Sequence, residues 1–519
     1  MTTPVNERAT MHRREVLRLG LRGSAALVAP AGILALINGG GRAAPRSDAM
    51  GGHLHSMAPQ PTRSGPQDST AAAMPPISHF QSPLPLPSVL APVRSETDAD
   101  YYTMIQREVQ KEILPGLKTT IWGYEGQFPP PTIRARRGRT AILELANRLQ
   151  VPTVLHLHGG LTPADSDGFP MDLVPPGGTA RHVYPNHQRA ATLWYHDHAM
   201  DHTGRNNFMG LGGGLYIIED DAEANLPLPR DEYDVPLVIQ SRKFAPDGSF
   251  VFDDRAKFGT DSDVTLVNGA PWPRMEVARR RYRFRILNAA HDAVYELALG
   301  SGRPLVQIAT EGGLLPAPVR SDSIVLSMAE RVEVVVDFAD YPLGTQVVLQ
   351  NRWPEGAGDI MRFDVVRDAK DDSTVPDTLG VVETLPEDQA VRTRTFDIGP
   401  ILAATLPPVT FSINGRSFDP DRVDATPRLD DVEIWRFRTG GVLQQHHPMH
   451  IHLVNFQILD RNGARPAPYE AGWKDTVRVG PHDDVRVIAR FAGYRGKYVL
   501  HCHNLAHEDH AMMARFDVV

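Results

Sequence analysis

Ten of the 21 histidines in this 519-residue chain fall into four short clusters, and their spacing constrains the fold more than any other feature. The clusters are His156-Leu157-His158, His196-Asp197-His198, His447-Pro448-Met449-His450-Ile451-His452, and His501-Cys502-His503 with His507 shortly after. In an extended strand, residues i and i+2 share a face and residue i+1 points to the other. Four His-x-His pairs therefore offer eight imidazoles that converge if the first and last thirds of the chain pack together. Cys502 lies between two of them and must face the opposite side. One strand thus presents a thiolate to one metal site and two imidazoles to another, a covalent link of the kind that fast electron transfer between sites requires.

The thiolate side follows from the spacing. Cys502, His507 and Met512 fall at five-residue intervals, and His447 supplies a second imidazole from across the sheet. Two His, a Cys thiolate and a weak Met ligand define a blue-copper electron-transfer centre. The eight-imidazole side brings no carboxylate and no further sulfur, which suits a copper cluster better than Mg, Ca or Fe–S. Zinc also takes His and Cys, but its sites rarely recruit ten histidines with a single Cys and a Met. Cys502 is the only cysteine, so no intramolecular disulfide forms. A lone cysteine is ordinarily a small buried hydrophobe; the flanking His501 and His503 argue for a ligand instead.

At about 150 residues per domain, the length points to two to four domains. Abundant Pro (44) and Gly (43) favour many short strands joined by turns. A net charge of −8 without a long basic run argues against nucleic-acid binding. Alternating β runs occur at Ile142, Leu143 and Leu145, from Val332 to Phe338, and from Val485 to Phe491. Tyr498-Val499-Leu500-His501 matches Leu193-Trp194-Tyr195-His196, and Val347-Val348-Leu349-Gln350 stands in the same place in the middle third. The simplest description is three similar β units of roughly 140 residues each. The middle copy has lost its histidines, so only the outer two hold metal.

The N-terminus reads as an export signal. Arg13-Arg14 precedes an apolar run from Gly23 to Ile37, and small residues at Ala43-Ala44 offer a cleavage site. This is the layout of a twin-arginine signal over 1–44, and the apolar run is too short for a comfortable membrane span. No stable span is expected after processing. The plainer alternative is a disordered basic start with a chance arginine pair. A Pro/Ser/Met-rich flexible linker follows at 45–78. It contains Met50, His53, His55 and Met57, types that copper favours, although a solvated tail with chance His and Met is the simpler account.

The motifs HLHGG at residue 156, SDGFP at 166, WYHDHAM at 194 and HCHNLAHEDHAMM at 501, in that order, resemble the copper-binding signatures of the multicopper oxidases. The likeness runs from about residue 80 to the end and is strongest to the spore-coat laccases, a group that includes bilirubin oxidase and phenoxazinone synthase. The resemblance implies an all-β fold of three cupredoxin-like Greek-key β-sandwich or barrel domains. These would be 79–225, 226–368 without copper ligands, and 385–519 with the type 1 copper, with a linker at 369–384.

It further implies four copper ions. His447, Cys502, His507 and Met512 would hold the type 1 ion, and His156 and His450 the type 2 ion. His158, His196, His198, His452, His501 and His503 would hold the coupled type 3 pair. Met512 in the axial place implies a moderate reduction potential. Asp167 and Glu508 would relay the protons that reduction of dioxygen consumes. The plainer readings are a turn-stabilising Asp in Ser166-Asp167-Gly168 and a solvated Glu. Asp197, standing where the third unit has Cys502, reads as a structural remnant of the repeat. His446 lines either a substrate entrance or the surface. His182, His187, His202, His291, His482 and His510 show no pairing pattern and receive no role.

The implied function is a laccase-like oxidase. It takes single electrons from small phenolic or aromatic-amine reductants, moves them across Cys502, His501 and His503, and delivers them to dioxygen. Its rivals are a cuprous oxidase for copper detoxification, a copper nitrite reductase, whose two-domain plan needs no full trinuclear set, and a non-catalytic copper-binding structural protein.

Overall fold

Short runs of β-branched and aromatic residues, separated by Gly, Pro and Asn turns, build almost all of the regular structure. The computed structural model describes residues 76–519 except 257–258, 260–261, 402–409 and 441–444. The expected signal segment, with Arg13-Arg14, and the linker residues Met50, His53, His55 and Met57 lie outside the described residues. Among the described residues the longest α-helix is Thr203–Met209, and no helix is long and apolar enough to cross a membrane.

The strands form three consecutive two-sheet units. In the first, Arg94–Ser95, Ala99–Glu112, Thr140–Asn147 and Thr179–Tyr184 form one sheet, with Lys118–Tyr124 paired to the long strand. Its partner sheet runs Ile133–Arg136, Gly212–Glu219, Ala191–Asp197, Leu155–His158. Side chains from both, including Tyr102, Leu143, Leu193 and Tyr216, share one core. The middle unit pairs a seven-stranded with a five-stranded sheet around Phe284, Leu297, Val334 and Phe363. The third places Thr410–Ile413, Arg392–Ile401, Val432–Thr439, Asp484–Arg490 and Phe456–Arg461 against Thr476–Val479, His447–Ile451, Gly496–Cys502 and Met513–Val518. Phe516 and Leu500, both fully buried there, each contribute about 1.5–3 kcal/mol of burial energy.

The internal repeat is visible in the pairing. Each unit carries one parallel pair in its first sheet: Ala99–Glu112 with Thr140–Asn147, Asp234–Arg242 with Arg281–Asn288, and Arg392–Ile401 with Val432–Thr439. The histidine strands recur in the second sheet. His156 lies opposite His196 in the first unit and His450 opposite His501 in the third. The matching register in the middle unit sets Ala298 opposite Gln350. There the scaffold is kept and the ligands are gone.

Candidate metal centre

Burial and alternation place the sulfur. Strand Gly496–Cys502 is covered on both faces, and Cys502 is fully buried at its end. Its Sγ lies 3.6 Å from Nδ1 of His447 and 3.6 Å from Nδ1 of His507. Those two nitrogens are 3.2 Å apart. His447 begins strand His447–Ile451, while His507 sits on helix Leu505–Asp509, whose first turn is capped by the Asn504 side chain. Nε2 of His507 donates to the side-chain amide oxygen Oε1 of Gln445 at 2.8 Å, which leaves the Nδ1 lone pair facing the sulfur. The His507 ring also packs on Phe411, centroids 4.1 Å apart. Met512 joins the same buried cluster as Cys502, and its carbonyl accepts from the Cys502 N–H at 3.0 Å. Burial pushes the Cys502 thiol well up and holds His447 down at about 4. A thiolate here therefore requires a cation beside it.

Eight imidazoles converge on the other side. Nε2 of His198 lies 3.2 Å from Nε2 of His452 and 3.3 Å from Nε2 of His501. Nε2 of His503 lies 3.3 Å from Nε2 of His196. The rings of His156 and His452 stack at 3.8 Å, and those of His158 and His450 at 3.6 Å. Three triads each bring their ligand nitrogens within 4.8 Å of one another: His156/His158/His450, His158/His196/His503 and His198/His452/His501.

An oxygen lies close to each nitrogen that faces outward except that of His503. Asp167 accepts from His156 Nδ1 through its carbonyl (2.5 Å) and from His452 Nδ1 through its carboxylate (2.7 Å). Gly168, at φ +87°, lets this loop lie where a Cβ would meet the Leu155 carbonyl oxygen at 2.3 Å. The Glu508 carboxylate oxygens lie 3.1 Å from Nδ1 of His198 and 3.0 Å from Nδ1 of His501. Asp475 takes the outer nitrogens of both His450 and His158, and the Asp197 carbonyl takes that of His196. Outer oxygens of this kind fix which ring nitrogen is left as a ligand. The inward His156 Nε2, His158 Nδ1 and His450 Nε2 have no hydrogen-bond partner. Buried lone pairs facing each other without protons are costly unless a cation sits among them. Burial also drives His156, His450 and His452 well below the usual imidazole range, so the rings are in the neutral, ligating form. The donor set fits a cluster of imidazole-loving ions.

Two multicopper oxidase family profiles match residues 106–223 and 384–519. A laccase from Bacillus subtilis is 35% identical over 514 residues, spanning 85% of this chain and 99% of that protein. The chain belongs to the multicopper oxidase family. A bilirubin oxidase from Albifimbria verrucaria is 37% identical across 84% of this chain and 81% of its own. The crystal structure of a laccase from Pediococcus acidilactici superposes with a TM-score of 0.79 at 32% identity, covering 86% of this chain and 95% of that one. The cupredoxin-like all-β architecture expected from the motifs is thereby established. So is a laccase-like, oxygen-using oxidoreductase that binds copper.

Within this multicopper oxidase the eight cluster imidazoles and His447, Cys502 and His507 are buried together at the two groups of ligand atoms, and Met512 is buried in the core that holds Cys502. His198, His452 and His503 each fall one residue past a strand end, yet alternation persists because His198 N–H donates to the Val154 carbonyl and His503 N–H to that of Pro448. The plainer reading of Glu508 as a solvated side chain is overturned. It is 1% exposed, and although burial alone would raise its pKa, His501 and His198 outweigh this and hold it well below the usual carboxylate range. Asp167 is fully buried, and burial lifts its carboxyl well above that range. Asp197 is a buried brace. Its carboxylate accepts from the Val154 and Ala199 N–H groups and from the Asn206 amide. His446 is half-buried beside the sulfur site, its ring 5.1 Å from Trp353 and Nδ1 3.2 Å from an Arg478 nitrogen. Sequence reasoning missed Asp475, Thr476, Arg331 and Gln445, since a single acid, hydroxyl or amide flanking a strand carries no periodic signal.

Proposed function

We propose that this multicopper oxidase removes single electrons from small phenolic or aromatic-amine reductants and reduces dioxygen to water with four copper ions. In this reading His447, Cys502, His507 and Met512 hold the type 1 ion and His156 and His450 the type 2 ion. His158, His196 and His503 hold one ion of the type 3 pair, and His198, His452 and His501 the other. When bound, copper supplies reversible one-electron chemistry at the first site and dioxygen reduction at the second.

The chain's own residues do the rest. His446, Trp353 and Arg478 form the wall beside His447 against which a flat reductant docks. The Cys502 backbone joins the sulfur directly to His501 and His503, so a short covalent path spans the two sites. The dense core around Cys502 excludes water from that path. Asp167 and Glu508 hold and pass protons at their carboxylate oxygens, each already in contact with ligand rings. Export by the twin-arginine route, with cleavage near Ala44, completes the proposal, supported by Arg13-Arg14 and the apolar run after it.

One observation carries the reading. Cys502 Sγ meets two imidazoles at 3.6 Å while its neighbours His501 and His503 meet the other cluster's rings at 3.3 Å. Oxygen uptake by the copper-loaded protein, measured in parallel on a dimethoxyphenol, an aminophenol, bilirubin and Cu(I), tests it. Faster turnover on an aromatic reductant than on Cu(I) is expected. The reverse order would make it a cuprous oxidase, and no uptake would leave a copper-binding protein without this activity.

A further inference from the structure

We infer that the middle β unit, which supplies no imidazole, acts on the copper cluster through Arg331: with Asp475 it forms a positioning pair that fixes which nitrogen His158 offers. The inference rests on the cluster assignment proposed above.

The chemistry starts at His158. Its Nε2 lies 3.0 Å from the Asp475 carboxylate and 3.1 Å from the Thr476 hydroxyl, and its Nδ1 has no partner. A carboxylate only accepts, so Nε2 carries the hydrogen and Nδ1 carries the free lone pair. In His156, His196, His198, His450, His452 and His501 it is Nδ1 instead that lies against an oxygen. His158 is the exception, and Asp475 makes it so. The carbonyl of the same Asp475 accepts from His450 Nδ1 at 2.8 Å. One residue thus sets opposite tautomers on two rings stacked 3.6 Å apart.

A carboxylate with no exposed surface needs a buried countercharge. Arg331, 1% exposed on strand Arg331–Asp337 of the middle unit, supplies it with two parallel bonds to Asp475, of 2.8 and 2.6 Å. Its Nε donates to the Thr192 carbonyl at 3.0 Å, on the first-unit strand that carries His196. The guanidinium therefore touches all three units. Neighbouring Lys474 is bound to Glu311 and Glu330 and is not free to replace it. The residue after His158 is shaped to the pair. Gly159 has φ +82°, and a Cβ there would meet Asp475 Oδ2 at 2.4 Å and Arg331 Nη2 at 2.7 Å. The middle unit, which holds no ligand, thus contributes a brace from its other sheet.

The test uses the copper-loaded full chain and the variants Asp475→Asn, Arg331→Met and Arg331→Lys. It reads copper per chain, the blue band of the sulfur site, the near-ultraviolet band of a coupled copper pair, and the melting temperature. Outer-shell partners of metal ligands typically tune affinity or activity by about 10–100-fold. A loss of that size in oxygen turnover is expected for Asp475→Asn and Arg331→Met, together with loss of the near-ultraviolet band. The blue band should keep its full intensity, and Arg331→Lys, which keeps the charge but not the two-pronged geometry, should fall between. An intact near-ultraviolet band in Asp475→Asn and Arg331→Met overturns the inference. So does loss of both bands in step with a lowered melting temperature in all three variants, which marks a merely structural contact. If the wild-type protein itself shows neither band, the cluster assignment fails and takes this inference with it.

Discussion

Nδ1 of His452 donates to the carboxylate of Asp167 at 2.7 Å across a sequence separation of 285 residues. That bond ties a loop of the first unit to a ligand ring of the third, and the Asp167 carbonyl holds His156 as well. Asp167→Ala keeps the carbonyl and removes the carboxylate, so His156 stays oriented while His452 is released. Turnover or copper affinity at the cluster should fall by about 10–100-fold. The blue band should be unchanged, because Cys502, His447 and His507 are untouched. Copper per chain and oxygen uptake on the purified variant check this, and wild-type values for both would remove Asp167 from the proposed machinery.

Glu508 faces His198 and His501 together. Glu508→Gln preserves shape and removes the group that exchanges protons. General acid–base assistance contributes about 100- to 10,000-fold, so kcat should drop by at least about 100-fold. The solvent isotope effect should rise and the blue band stay constant. A kcat near wild type with an unchanged isotope effect would show that protons arrive by another route.

Stability in acid depends on a different buried cluster. Burial pushes the Asp234 carboxyl up, but Arg285 and Arg283 outweigh burial and hold it at about 2. An unfolded Asp titrates near 3.8, so the unfolded state binds more protons between about 3.8 and 2. The contribution is fully present above that window and is lost as the pH falls through it. It amounts to roughly 2 kcal/mol. Asp234→Asn should therefore unfold at lower urea at pH 7, with a smaller difference from wild type at pH 3. A difference that grows in acid would contradict the sign.

The parts of this protein that were legible beforehand share one property, a period. His-x-His marks a strand with two ligands on one face, and the Tyr498–His501 motif has a counterpart in each of the other two units. Both survive in the pairing, even where Ala298 and Gln350 stand in for histidines. What stayed hidden has no period. Asp475 and Arg331 are single charges whose partners lie far away in sequence, and Glu508 is marked as a proton relay by resemblance alone, since a lone acid after His507 gives no sign of its burial between two ligand rings. Asp197 was legible as a remnant of the repeat, though its three accepted bonds were not. Alternation reports which way a side chain points, whereas only the packing of one unit on another reports what it meets.

The most direct measurement is the spectrum and oxygen uptake of Cys502→Ser after copper loading. A serine hydroxyl fits the space but cannot act as a soft thiolate, and His501 and His503 keep their backbone positions. The blue band and aromatic-reductant turnover should vanish together, while the near-ultraviolet band of the coupled pair and the copper bound by the eight imidazoles remain. A variant that keeps its blue colour, or that turns over at the wild-type rate, would contradict the claim that this one strand joins the two sites.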